Sequence, residues 1–107
     1  MSSSFQFTIA ADHAALPGHF PGQPIVPGVL LLDRVITGVE AALMRRVHAL
    51  QQVKFAAVLL PAETAQVSFD ADAAQVRFGV AVQRDGATVT LATGSLRLAD
   101  PPGTPAP

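Results

Sequence analysis

GHFPGQPIVPGVLLLD, residues Gly18 to Asp33, is the stretch on which the fold turns. Prolines at 21, 24 and 27 and glycines at 18, 22 and 28 punctuate its first part, with Pro17 just before it. Each proline ring fixes φ and constrains the residue before it, so this loop is stiff but irregular. At Gly28 the punctuation stops, and no proline follows until Pro61. The stretch therefore holds one histidine, His19, in a stiffened loop. It then sets one acid, Asp33, inside an aliphatic run of a chain that is only 14% charged.

Outward from this stretch, the interval free of proline predicts one long helix over roughly residues 28–46, with Pro27 where proline is tolerated, at the very start. Arg45 and Arg46 lie near its end, where cations suit the macrodipole. On a helical wheel Leu31, Leu32, Val35, Ile36, Val39, Ala42 and Leu43 share one broad face. Asp33, Thr37 and Glu40 lie opposite, with Val29, Leu30 and Met44 intruding among them. The polar side is narrow and mixed, so more of this helix is expected to be buried than in a surface helix.

The remainder predicts strands. Phe5, Phe7 and Ile9 alternate with small or polar residues, giving a first strand over about residues 5–11. After the helix come candidates at 47–58, 64–69, 75–83 and 88–98, of which the first is ambiguous around QQVKFAAV. Val76, Phe78, Val80 and Val82 alternate cleanly, and Asp85-Gly86 signals a hairpin turn. In the last strand Val89 and Leu91 are odd-numbered and Leu96 and Leu98 even, a slip of phase that suggests a β-bulge around Gly94. One helix on about five antiparallel strands is an α+β plan. The sheet covers one side of the helix, and something else must cover the rest.

The chain has 107 residues, half of them hydrophobic, which fits one domain over residues 1–99 with a disordered proline-rich tail at 100–107. Such an apolar small chain is expected to bury more surface by self-association. A net charge of −1 with no basic run argues against nucleic-acid binding. Cysteine is absent, which removes disulfides, thiolate metal sites and cysteine nucleophiles. His13, His19 and His48 lack metal-ligand spacing, so no metal is expected. No run of 18 apolar residues occurs, and the start MSSSFQF lacks the blocks of a signal peptide. The expectation is a soluble, cytoplasmic protein.

The chemistry again lies in residues 18–33. Gly28 opens a helix, where backbone N–H groups are unpaired and the dipole favours negative charge. Lacking a side chain, it would let a ligand oxygen approach that N–H. Asp33 lies about 7.5 Å further along the axis, among Val29, Leu30 and Ile36, where loss of water disfavours the charged form. His19 is the side chain that titrates nearest neutrality. A base, a protonated acid and an N–H aimed at a developing oxyanion form an elimination site. Each residue also has a plainer role: His19 bonded to a loop carbonyl, Asp33 within a solvated Asp33/Thr37/Glu40 stripe, Gly28 serving the turn alone.

HFPGQPIVPGVLLLD, residues 19–33, resembles the signature of the FabA/FabZ-type 3-hydroxyacyl-acyl-carrier-protein dehydratases, which have the hot-dog fold. That signature runs His-Phe-Pro-Gly, then Pro and an apolar pair, Pro-Gly, an aliphatic run and an acid. Here it is met by His19, Phe20, Pro21, Gly22, Pro24, Ile25, Val26, Pro27, Gly28, Val29 to Leu32 and Asp33. The loop is FabZ-like, whereas Asp at the acid position is FabA-like. Elsewhere the likeness is in element order, with VKF at 53–55 echoing a family strand.

The resemblance implies a central helix wrapped by a curved antiparallel sheet, and two subunits paired edge to edge. His19 of one would face Asp33 of the other across a dry tunnel. It implies dehydration of a 3-hydroxyacyl thioester, borne by acyl carrier protein, to the trans-2-enoyl thioester, without a cofactor. His19 would remove the α proton, the Gly28 N–H would hold the thioester oxygen, and Asp33 would protonate or orient the departing hydroxyl. The Ile25 carbonyl is a candidate for fixing the His19 tautomer, with Phe20, Gly22 and Pro27 shaping the loop.

Three departures stand out. Thr37 replaces the glutamine usual four residues after the acid, only 18 residues precede His19, and Trp and Tyr are absent, so a tunnel would be lined by aliphatics and Phe. Two other functions stay open: a non-catalytic hot-dog subunit that binds acyl chains or completes a partner's site, and an acyl thioesterase. The assembly could be a homodimer, a heterodimer or a trimer of dimers. Arg34, Arg45, Arg46 and Lys54 could dock an acidic carrier protein. His48 and Glu40 are assigned to structure rather than chemistry.

Overall fold

The structure is a computed structural model and describes residues 2–10 and 25–100. The elements are β1 (Ser2–Thr8), α1 (Gly28–Leu43), β2 (Val47–Phe55), β3 (Thr64–Ala71), β4 (Gln75–Arg84) and β5 (Ala87–Leu98). The five strands form one sheet in the order β1-β3-β4-β5-β2, every neighbouring pair antiparallel. This is the α+β plan the sequence predicts. The proline-rich segment expected to be disordered falls almost wholly outside the described residues.

The period of each element sets the core. In α1 Leu31, Val35 and Val39, four residues apart, are buried to 2% exposure or less. They meet the inward rows of the sheet: Val67 and Phe69 of β3, Val76, Phe78, Val80 and Val82 of β4, and Leu91 and Leu96 of β5. Each such side chain, fully buried, contributes about 1.5–3 kcal/mol. The helix is less buried than its composition suggests. Val29 is 77% exposed, and Asp33, Thr37 and Ala42 face solvent. The sheet wraps one side of α1 and leaves the other open.

β1 begins three residues earlier than the apolar alternation indicated, because Ser2, Ser3 and Ser4 pair with Asp70, Phe69 and Ser68 of β3, and the Ser2 hydroxyl also donates to Asp70 Oδ1 at 3.1 Å. Phe5 stands edge-on to Phe69, with ring centroids 6.1 Å apart. Its ring also lies against Gly38 of α1, in space a Cβ there would need.

The helix stops at Leu43, short of the expected end, as Met44 turns into the left-handed region at φ 55°. Arg45 and Arg46 therefore lie beyond the helix. Arg45 donates to the Ala73 and Ala99 carbonyls at 2.8 and 2.6 Å. Glu40 is half-buried and accepts from the Val47 N–H at 2.8 Å, holding the start of β2.

The bulge expected around Gly94 is at Leu91. Val80 pairs with Ala92 but Ala81 with Thr90, so Leu91 is the extra residue and the phase changes there. Leu91 and Ala92 are consecutive and both buried, and a bulge allows that. Gly94 is needed for another reason: a Cβ there would meet the Gln52 carbonyl and the Phe78 ring. The Asp85-Gly86 turn forms with φ 51° and 77°, as a two-residue hairpin requires.

Candidate active site

Pro27 adopts φ −60° and ψ 144°, so it precedes α1 as its N-cap rather than forming the first helical residue. Its carbonyl accepts from the Leu30 and Leu31 N–H groups at 3.0 and 3.1 Å, and among the described residues no side chain caps the helix. The Gly28 N–H therefore has no acceptor among the described residues, and it sits at the positive end of the helix dipole.

That N-terminus borders an apolar cavity of about 440 Å³, lined by Ile25, Val26, Pro27, Gly28, Leu31, Phe55, Ala57, Val58 and Leu59. Its walls come from four places: the segment entering α1, the start of α1 itself, the end of β2, and the loop after β2. Two sets of backbone bonds hold them together. The Val26 N–H donates to the Leu59 carbonyl at 2.8 Å, and the Ala56 and Ala57 N–H groups both donate to Leu91, the bulged residue, at 2.8 and 3.2 Å. A donor at the edge of an apolar hollow suits a ligand with one polar oxygen on a hydrocarbon body. A larger hollow of about 670 Å³, lined by Gln51, Gln52, Lys54, Gln75, Arg77, Phe78, Thr93, Gly94 and Ser95, contains none of the expected site residues.

Ile25, Pro27 and Gly28 come together at the cavity. Asp33 and Thr37, one turn apart, are on α1 but face solvent. The expectation that Asp33 is desolvated by its aliphatic neighbours is not met within one chain. At i−3 and i+3, Leu30 and Ile36 are half-buried, while Asp33 itself lies on the uncovered side. His19, Phe20 and Gly22 lie outside the described residues.

Sequence reasoning missed two features. Phe55 closes over Gly28: a Cβ on Gly28 would stand 2.9 Å from Phe55 Cζ. The second is Arg84 and Glu63. Arg84 Nε donates to Glu63 Oε2 at 2.7 Å, and an Arg84 terminal nitrogen donates to Glu63 Oε1 at 2.6 Å. These bonds hold the Glu63 carboxyl below the usual carboxylate range, helped by the Leu60 N–H, and raise the Arg84 guanidinium in turn. The partners are 21 residues apart, so no local pattern announces them. Of the proposed carrier-docking cations, Arg34, Arg46 and Lys54 are exposed, whereas Arg45 is committed to backbone carbonyls.

Among the described residues no group of three or more His, Cys, Asp or Glu side chains comes together, and no helix is long and apolar enough to cross a membrane.

A family model described as ApeI-like, ApeI dehydratase, matches residues 1–94. The chain is 45% identical over 51 residues to the 3-hydroxyacyl-[acyl-carrier-protein] dehydratase FabZ of Chloroflexus aggregans. That match takes in 47% of this chain and 35% of the relative's length. Among solved structures, an uncharacterized protein from Erwinia carotovora superposes with a TM-score of 0.79 at 23% identity, over 92% of this chain and 83% of that one. The dehydratase heterocomplex ApeI:P from Xenorhabdus doucetiae gives 0.75 at 24% identity, over 91% and 86%. A 1,4-dihydroxy-2-naphthoyl-CoA thioesterase from Synechocystis gives 0.60 at 10% identity, over 92% and 80%. At these identities the structures share the fold, and that fold is the hot-dog fold.

Proposed function

The chain belongs to the ApeI-like dehydratase family, of FabA/FabZ type, and from that premise we propose that it removes water from a 3-hydroxyacyl thioester to give the trans-2-enoyl thioester. The active site is composite. His19 takes the proton on the carbon α to the thioester carbonyl. The thioester oxygen, gaining negative charge, is held by the Gly28 N–H at the uncapped start of α1. The C–O bond at the 3-position breaks, and Asp33 of a second chain protonates the departing hydroxyl, which leaves as water. Ile25 orients the imidazole through its carbonyl, and Thr37 supports Asp33.

The observation that carries this is the division of α1. Its N-terminus borders an apolar cavity, while Asp33, five residues on, lies on a face its own sheet leaves uncovered. An acid there is withdrawn from water when a second chain covers it. β2 supplies the contact surface: it is an edge strand, with Leu50 and Phe55 exposed. The second chain is a copy of this one. The substrate is carried by acyl carrier protein, within a fatty-acid-like, polyketide or aryl-polyene route in the cytoplasm.

The test is to incubate the protein with 3-hydroxyacyl thioesters and follow enoyl-thioester absorbance. His19→Ala and Asp33→Asn are each expected to be inactive. Mixed and re-paired at random, half the dimers contain both variants and each of those keeps one intact site of two, so about a quarter of the activity returns. No recovery on verified exchange removes the composite site. Free thiol without enoyl product identifies a thioesterase instead.

A further inference from the structure

The loop from Ala56 to Glu63 forms one wall of the cavity and is fastened from its outer side. An Arg84 terminal nitrogen donates both to Glu63 Oε1 and to the Val58 carbonyl, each at 2.6 Å, while Arg84 Nε holds Glu63 Oε2 at 2.7 Å. Glu63 Oε1 in turn accepts the Leu60 N–H at 2.8 Å. The two side chains thus grip the backbone on both sides of Leu59, the residue whose carbonyl takes the Val26 N–H.

Val26 is two residues before Gly28, and little can flex between them. The ring of Pro27 locks its φ, and its carbonyl is held by the first turn of α1. We propose that Arg84 and Glu63 are positioning residues for the Gly28 amide, acting through Val58, Leu59 and Val26, a role that presupposes the dehydratase reaction proposed above. Neither side chain lines the cavity. A bidentate guanidinium–carboxylate fork is suited to this because its planar geometry fixes direction as well as distance. An amide that must meet a developing oxyanion is sensitive to displacements of about 1 Å.

The experiment combines kinetics with amide hydrogen exchange on the full chain. Arg84→Met is expected to lower kcat roughly tenfold with KM within about twofold, because the amide acts mainly in the transition state. Arg84→Lys, which keeps the charge without the fork, recovers only part of the loss. In Arg84→Met the Val26 amide is expected to exchange at least about tenfold faster, while the Val47 amide, held by Glu40, keeps its wild-type rate. Unchanged kcat in folded Arg84→Met overturns the proposal, as does equal loosening of Val26 and Val47 or of neither. A wild-type protein without dehydratase activity overturns the reaction instead. The Val26 and Val47 rates then still decide whether the clamp governs the Gly28 segment.

Discussion

Phe55, at the end of the edge strand β2, lies with its ring against Gly28, at the first turn of α1. A Cβ added to Gly28 would come within 2.9 Å of Cζ and 3.1 Å of Cε1 of that ring. Glycine at this position therefore keeps an aromatic ring close beside the helix N-terminus, as well as leaving its N–H accessible.

The Gly28→Ala variant separates these effects. The clash falls on the far end of the Phe55 side chain, which can shift at little cost. Alanine is also the better helix former, so stability is expected to change by no more than about 1 kcal/mol. The methyl group and the displaced ring would crowd the oxyanion position, and kcat is expected to fall roughly 10- to 100-fold. Thermal melts beside steady-state kinetics check both parts.

Gly38 makes the opposite case. The Phe5 ring occupies the space its Cβ would need, and that ring is half-buried between α1 and β3 against Phe69. It has little room to move, so Gly38→Ala is expected to destabilise by about 1–3 kcal/mol despite the gain in helix propensity. In a Phe5→Leu background the cost should shrink, and a double-mutant cycle by urea denaturation measures the coupling.

Ala62 occupies the left-handed region at φ 69°, with its N–H donating to the Ile9 carbonyl at 2.7 Å. A left-handed conformation costs a residue with a Cβ about 1–2 kcal/mol, whereas glycine adopts it freely. Ala62→Gly returns part of that gain as extra unfolded-state entropy, about 0.4–1 kcal/mol. The net expectation is a gain of about 0.5–1 kcal/mol, read as a higher denaturation midpoint.

Acid should loosen the turns next. The folded Glu63 carboxyl is held below its ordinary value, first by hydrogen bonds from Arg84, and that of Asp72 by the Ala74 and Gln75 N–H groups. A carboxylate with a depressed folded pKa contributes stability that is complete above its unfolded value and is lost as pH falls through the folded one. Stability should therefore decline from about pH 4.5 downward. Glu63→Gln and Asp72→Asn should each flatten that decline while lowering stability at pH 7. Denaturation midpoints measured from neutral to acid pH test this.

Much of the fold was legible because its signals are local. The interval free of proline after Pro27 marked α1, two-residue alternation marked β4, and Asp85-Gly86 marked the hairpin. Each depends on residues within one turn or one strand repeat. The errors lay where pairing overrides pattern. β1 takes in Ser2 to Ser4 because β3 offers backbone partners, and the bulge lies at Leu91, where two neighbouring residues must both enter the core. Of the motif's residues, Ile25, Pro27 and Gly28 line one apolar cavity, as neighbours along the chain can, whereas Asp33 stands apart from it on the exposed face of α1.

By itself the chain's order of residues determined one helix, an antiparallel sheet and a motif shared with a dehydratase family, since all three are written in short spacings. Only the tertiary structure decided that Asp33 stands on an uncovered flank, that Phe55 lies over Gly28, and that Glu63 and Arg84 grip the loop behind it. These relations join residues far apart along the chain, and their physical content is burial and direction, which no local spacing carries.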